Sequence, residues 1–303
     1  MIKKSVVIKC YFREIGHVYT KLLATSYSLL AKSMKITLVN KKVNQIKADV
    51  ELILVDKSLK NKWVKDAKLF KAQGFKGELE LVLYLPEKGR LYSGVKDFKD
   101  HDNVRLAAAM GSKALKGKDI KSLKCAYYGD ENIKALVEGV VLGSYVFDKF
   151  KNKKAKTIFS LNVASEALAA KVENKAAGEL IKEARIEAEA QNFVRDLVNR
   201  PADDVTPTEF ARIARDLAKD KDVNIKVYKE DYLKKNKMGA LLAVGQASPH
   251  DSHLIHLSYR PKGASKKVVL VGKGLTYDSG GLSLKPSDSM RTMKIDKAGA
   301  SAI

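Results

Sequence analysis

Cysteine is scarce in this sequence, and long apolar runs are missing. Only Cys10 and Cys125 occur among 303 residues. They lie far apart and outside any metal-ligating spacing, which excludes a disulfide framework and a thiolate metal site and fits a reducing, cytoplasmic compartment. No stretch approaches the ~20 apolar residues that cross a bilayer, so no membrane partner is expected. The opening MIKKSVVIKCYFREIG is interrupted by Lys9, Arg13 and Glu14 before an apolar core of signal-peptide length can form. Acidic residues are also in short supply: 35 Asp and Glu stand against 57 Lys and Arg, a formal net charge of +22. A balance of that size suits a polyanion, whether nucleic acid or a membrane surface. The excess is mostly lysine, however, scattered as KK, KNKK and KSLK, with few arginines and no interleaved aromatics. A solvated lysine-rich surface accounts for it more simply than a nucleic-acid site does.

What is present points to a soluble globular chain of about two domains, long enough for a sizeable core. Up to about residue 170, strand-like and helical stretches alternate. Asp49–Asp56, Glu78–Leu85, Leu123–Tyr128 and Thr157–Leu161 read as strands, and Val104–Leu115 and Ile133–Phe150 as helices. Such alternation predicts an α/β layer structure with a mostly parallel sheet. Ala176–Val198 reads as one long helix joining two halves. Its Glu179, Glu183 and Glu187, spaced at four residues, make a solvated stripe rather than a ligand row. Asn199-Arg200-Pro201 stops that helix, and Thr206-Pro207 starts the next as N-cap and first-turn proline. Near residue 250, His250, His253 and His256 crowd together. On a strand at HLIHLSY, His253 and His256 have opposite parity and cannot easily share one ion.

The stretch Lys266–Ile303, KKVVLVGKGLTYDSGGLSLKPSDSMRTMKIDKAGASAI, holds the densest chemistry. Val268–Val271 reads as a buried strand running into a loop with Asp278, Gly280 and Gly281, the usual place for function in α/β proteins. A dinucleotide fingerprint fails because Tyr277 stands where its third glycine belongs. A P-loop fails because Gly280 is followed by Gly281 and Leu282 rather than Lys and Ser/Thr, and a nucleophile elbow fails because Tyr277 precedes Ser279. Asp278 and Asp296 remain as hard oxygen ligands for Mg, Mn or Zn. Lys273 could join them only as the neutral amine, and Lys285 would stay cationic, able to stabilise a carbonyl oxygen as it gains negative charge. On spacing alone, Lys273 and Lys285 serve equally well as loop lysines that pair with the two aspartates.

The strings VGKGLTYDSGGLSLKPS and MKIDKAGA resemble the metal-binding region of the leucyl aminopeptidase (cytosol aminopeptidase) family of dinuclear metallo-exopeptidases. NRPADDVTP is similar to that family's Asn-x-Pro-x-Asn-x-x-Thr-Pro signature, with Asp203 replacing the second Asn, and EGVVLGSYVFDKFK resembles the end of its N-terminal domain, where Tyr145, Phe147 and Phe150 are expected to pack. The resemblance implies that Lys273, Asp278 and Asp296 ligate metal and that Lys285 is catalytic. It also implies two divalent ions per subunit (Mn or Zn), release of N-terminal, leucine-like residues from peptides with a free N-terminus, and a homo-hexamer. The expected architecture is an N-terminal α/β domain over 1–165 and a catalytic α/β domain with a mixed sheet over 166–303, joined by a linker helix at about 176–198. The family's other two acidic ligands and its catalytic arginine belong to an Asn-Thr-Asp-Ala-Glu-Gly-Arg segment that does not occur in these residues. The chain is therefore expected to be a fragment of a longer enzyme, weakly active or inactive alone. The alternative is a basic nucleic-acid-binding protein on the same scaffold.

Overall fold

The computed structural model describes residues 5–12, 33–60, 62–165, 171–219 and 223–303, with residues 5–12 and 171–174 described by backbone alone. The Cys10 side chain, Arg13, Glu14 and the stretch just after the expected boundary at 165 lie outside these. In chain order the elements are β1 (Ser5–Phe12), β2 (Lys35–Val39), β3 (Val50–Val55), α1 (Ala67–Ala72), β4 (Val82–Leu85), β5 (Arg90–Gly94), α2 (His101–Ala114), β6 (Ser122–Ala126), α3 (Asp130–Gly143) and β7 (Ser160–Ala164). They continue as α4 (Lys171–Asn199), α5 (Pro207–Leu217), β8 (Val223–Tyr228), α6 (Glu230–Lys235), α7 (Gly239–Gly245), β9 (Leu254–Tyr259), β10 (Lys266–Lys273), α8 (Ser287–Met290) and α9 (Ala298–Ala302). The chain divides within α4 into two units, one of Lys32–Glu189 and the other of Ala190–Ile303 together with β1.

The first unit is a six-stranded sheet in the order β2-β7-β6-β3-β5-β4, parallel except for the β4–β5 pair. This is the expected α/β architecture, and period-two alternation explains its layering. Val50, Leu52 and Leu54 of β3 pack with Leu123, Leu161, Ala107, Ala108, Leu136 and Val140 against α2 and α3. Ile53 and Val55 point the other way, onto Phe70, Phe75 and Tyr92 beside α1. Asp66 is buried in this second layer at 7% exposure. It accepts hydrogen bonds from Lys88 Nζ at 2.7 Å, Arg90 Nη1 at 2.9 Å and Tyr92 Oη at 2.7 Å. Burial alone would raise its pKa, but these donors outweigh it and hold the carboxyl at about 2.

Some expected elements differ in extent. Glu78–Leu85 is strand only from Val82, because Gly77 and Glu80 both adopt positive φ (65° and 68°) and Leu81 N donates to Glu78 O, a turn that no strand accommodates. The helix expected to reach Phe150 stops at Gly143, where the Ser144 hydroxyl turns back to Val140 O. Phe150 is accordingly exposed, touching Phe147 edge-on, rather than packed in a core. Glu183 and Glu187 both meet Lys134 of α3, at 3.0 and 3.5 Å, so the stripe is partly ion-paired instead of simply solvated.

The second unit is a mixed four-stranded sheet in the order β10-β1-β9-β8, with β1 antiparallel to β10 and parallel to β9. One face of it meets α5 and α9. Val268, Leu270, Ile225, Val227, Ile255, Leu257 and Tyr259 pack there with Phe210, Ala211, Ala214, Ala300 and Ile303. Helix α5 begins as its sequence dictates: Thr206 Oγ1 accepts from Glu209 N at 3.3 Å and Pro207 occupies the first turn. Val268–Val271 is a strand but not a buried one. Val269 and Val271 are 46% and 62% exposed because they alternate away from the packed face, at the end of the strand order.

Candidate active site

Strand β10 ends at Lys273, and its carboxyl end feeds the loop that carries Asp278 and Lys285. Gly280 makes that loop possible. Its φ is +90°, and a Cβ there would fall 2.2 Å from Ser283 O, so a side chain is excluded twice over. The tight turn is closed by Lys285 N donating to Ser279 O at 2.9 Å and by Gly280 N donating to Asp278 Oδ1 at 3.0 Å. Lys285 is thereby folded back, its Nζ 3.1 Å from Asp278 Oδ2. Burial would raise the Asp278 pKa, but the hydrogen bonds from Lys285 and Gly280 and the charges of Lys285 and Lys273 lower it below the ordinary carboxylate value.

Asp296 arrives from a separate piece of chain, the 3-10 turn Met293–Lys297, which runs directly into α9. Its Oδ2 contacts Lys273 Nζ. All four residues singled out in the sequence thus meet at one strand end as two lysine–aspartate pairs, with the charge of Lys273 also reaching Asp278. The turn sits close to β10 because two glycines allow it. A Cβ on Gly272 would lie 2.6 Å from Gly299 O and 2.7 Å from Ala300 Cα, and one on Gly299 would crowd Lys273 N at 3.2 Å.

The residues fit a divalent cation on their chemistry. Asp296 Oδ2 is buried and forms an ion pair with Lys273 Nζ. A buried carboxylate of this kind is a hard oxygen donor of the sort that divalent cations take. Among the described residues no three His, Cys, Asp or Glu side chains group into a metal site; the cluster offers two carboxylates and two lysines. His253 stands just before β9 and His256 lies on it opposite Lys226, away from the lysine–aspartate cluster in sequence; burial pushes the His253 pKa down.

Sequence reading passed over a second layer of basic residues. Lys297 is fully buried, and its Nζ donates to Arg200 O at 2.9 Å and Lys294 O at 2.6 Å. Its burial, with the charges of Lys294 and Arg200, pushes its pKa down to about 8. Lys294 Nζ donates to Asn199 O, the last residue of α4, at 3.0 Å. Arg200 itself is held by Asp204, through the carboxylate and the backbone carbonyl, and by Glu209 at 3.1 Å. The only hint in the sequence is a lysine set directly against the small-residue run Ala298–Ala302, which leaves little room for it to reach solvent.

The sequence that carries these features is matched by the models of one peptidase family. Residues 192–303 match the catalytic-domain model of the cytosol aminopeptidase family, and residues 94–154 match that family's N-terminal-domain model. The chain belongs to the cytosol aminopeptidase family. It is 44% identical over 277 residues to a "Probable cytosol aminopeptidase" of Campylobacter jejuni, covering 89% of this chain and 56% of that one. It is 37% identical to the protein of the same description from Wolinella succinogenes, covering 86% and 55%. The chain thus spans about half the length of the curated relatives it matches. Among solved structures, the bottromycin maturation enzyme BotP in complex with Mn is 28% identical, with a TM-score of 0.65 over 84% of this chain and 54% of that one. A tomato leucine aminopeptidase mutant, 22% identical with a TM-score of 0.71 over 89% and 58%, shares the fold.

Proposed function

We propose that this chain is the N-terminal α/β domain and the first part of the catalytic domain of a metal-dependent aminopeptidase that removes leucine-like residues from the free N-termini of peptides. The observation that carries the reading is the convergence of Lys273, Asp278, Lys285 and Asp296 at the end of β10. The relatives' shared description as cytosol aminopeptidases supports it, as does a Mn complex among the structural neighbours. In this reading the N-terminal domain runs to about residue 165 and the catalytic domain from about 166 to 303, apart from β1, which pairs in the second unit's sheet, and the intact protein is a cytoplasmic homo-hexamer.

Lys273, Asp278 and Asp296 would hold the ions, Mn or Zn, two per subunit. Bound there, divalent cations supply a water made acidic enough to attack at neutral pH and a polarised scissile carbonyl. The protein's own part is electrostatic. Lys285, on a loop fixed by Gly280 and by its own backbone bond to Ser279, presents an ammonium to the carbonyl oxygen as that oxygen becomes anionic. Asp278, its pKa lowered despite burial by the Lys285 and Gly280 donors, and Asp296 each turn one face to a lysine, which holds them in place without reorganisation during the reaction.

The test is hydrolysis of a leucyl anilide by the intact protein, stripped of metal and then reloaded with Mn2+ or Zn2+. Turnover that requires the metal, and that disappears when the substrate's amine is acetylated, is the expected result. Equal activity in the stripped protein, or in Asp278→Ala, would overturn the reading.

A further inference from the structure

Asp296 does not sit on β10. It sits on a five-residue turn whose position must come from elsewhere. On one side, the turn and α9 rest on β10 through the glycine contacts at Gly272 and Gly299. On the other side the turn is tied by two lysines. Lys294 Nζ donates to Asn199 O and Lys297 Nζ to Arg200 O, both at the C-terminal end of the 29-residue helix α4. The last carbonyls of a helix lack intrahelical donors and carry the negative end of its dipole, so they are good acceptors for an ammonium.

Lys297 is an unusual choice for this job. It is 0% exposed and, among the described residues, forms no ion pair, bonding to two backbone carbonyls instead. An apolar side chain of similar length would fill the space without the desolvation cost of a buried charge. What such a replacement cannot do is tie the turn to α4. Lys297 O is in turn the acceptor for Ser301 Oγ at 2.9 Å, so the same residue also anchors the first turn of α9.

We propose that Lys297, assisted by Lys294, is a positioning residue that pins the Asp296 turn to the C-terminal end of α4 and so fixes the carboxylate that faces Lys273. The inference rests on the metal-site reading above only for its functional consequence; the positional claim stands by itself. With the turn untethered, Asp296 keeps its chemistry but loses its place, and metal affinity falls while Lys285 and the substrate side of the site are unaffected.

The experiment uses the intact protein and two variants, Lys297→Met and Lys294→Met, each with two readouts. The first is amide hydrogen exchange over residues 293–298 without metal; the second is Mn2+ affinity by calorimetry. Exchange in that segment at least tenfold faster in both variants, with the rest of the chain unchanged, and Mn2+ affinity down about tenfold with KM for the leucyl anilide little altered at saturating Mn2+, is the expected result. Unchanged exchange in the segment overturns the proposal. So does faster exchange spread evenly over the chain, which would mark Lys297 as a general stability residue. If Lys297→Met fails to fold, Lys294→Met decides alone, since it removes only the bond to Asn199. Absence of Mn2+ binding by the unmodified protein would defeat the aminopeptidase reading and leave the exchange result to judge the tether.

Discussion

Lys285 Nζ lies 3.1 Å from Asp278 Oδ2, so the ammonium assigned to the reacting carbonyl rests on a carboxylate assigned to metal. Asp278 cannot serve both at full strength. Replacing Lys285 by Met should therefore have two effects of opposite sign. Loss of oxyanion stabilisation should cut kcat by about 10²–10³. Loss of a competitor for Asp278 should tighten Mn2+ binding by about threefold, the scale of a partly exposed ion pair. Steady-state kinetics at saturating Mn2+ and a calorimetric Mn2+ titration measure the two. Weakened Mn2+ binding in Lys285→Met would show that the lysine supports the metal site instead of competing with it.

The contact between Lys273 and Asp296 separates a metal site from a structural ion pair. If the two side chains merely neutralise each other, Lys273→Met and Asp296→Asn should each destabilise the fold by about 1–3 kcal/mol, and the double variant should recover much of that loss. If both are ligands, each single variant should lower Mn2+ affinity by at least tenfold and the double variant should recover none of it. Denaturant unfolding and Mn2+ titration of all three variants give the answer.

Much of this site was legible in the sequence because its members lie on one short stretch with demanding backbone chemistry. Gly280 and Gly281 announce a turn, Asp278 and Lys285 flank it, and the apolar run before Lys273 announces the strand. The strand's half-exposure was not legible: four consecutive β-branched or leucine residues read as buried on both faces, whereas only Val268 and Leu270 meet a partner layer. The alternation of the first unit was visible in β3, α2 and β6, whose periodicity is strong. It blurred at β4 and β5, where Glu80 adopts a positive φ that residue type does not signal and where RLYSG is too short to stand out. The pairing of β1 between β9 and β10 depends on register between segments some 250 residues apart, which no local pattern encodes. The same holds for Lys297, whose acceptors lie on the Asn199–Arg200 corner nearly a hundred residues earlier.

Asp66 gives the first unit a defined acid sensitivity. Its folded pKa is about 2, below the ordinary 3.8, because Lys88, Tyr92 and Arg90 donate to the ionised form. A depressed carboxylate contributes its stabilisation in full above the unfolded pKa and loses it as pH falls through the window from about 4 to about 2. The contribution at neutral pH is roughly 2 kcal/mol. Asp66→Asn should be less stable than the unmodified chain at pH 7, and the difference should shrink steadily below pH 4. Urea unfolding at pH 7, 4, 3 and 2.5 measures this, and a difference independent of pH would show that Asp66 contributes through packing and neutral hydrogen bonds alone.

The close approach of α9 to β10 can be tested without touching a polar group. A methyl on Gly272 would have to occupy space 2.5 Å from Ile303 Cδ1, 2.6 Å from Gly299 O and 2.7 Å from Ala300 Cα. The Ile303 side chain can move aside, but the two backbone atoms can yield only if α9 shifts as a body, and the Asp296 turn is continuous with α9. Gly272→Ala should therefore cost about 1–3 kcal/mol of stability and also weaken Mn2+ binding, since the shift is transmitted to the carboxylate facing Lys273. Gly281 supplies the control. Its φ is +69° and nothing lies within 4 Å of a Cβ built on it, so Gly281→Ala strains the backbone without pushing on α9. That variant should lose about 1 kcal/mol and keep its affinity for Mn2+. Equal Mn2+ affinity in Gly272→Ala and the unmodified protein, despite a lowered melting temperature, would mean that Asp296 is placed by its lysine tether to α4 and not by the packing of α9 on β10.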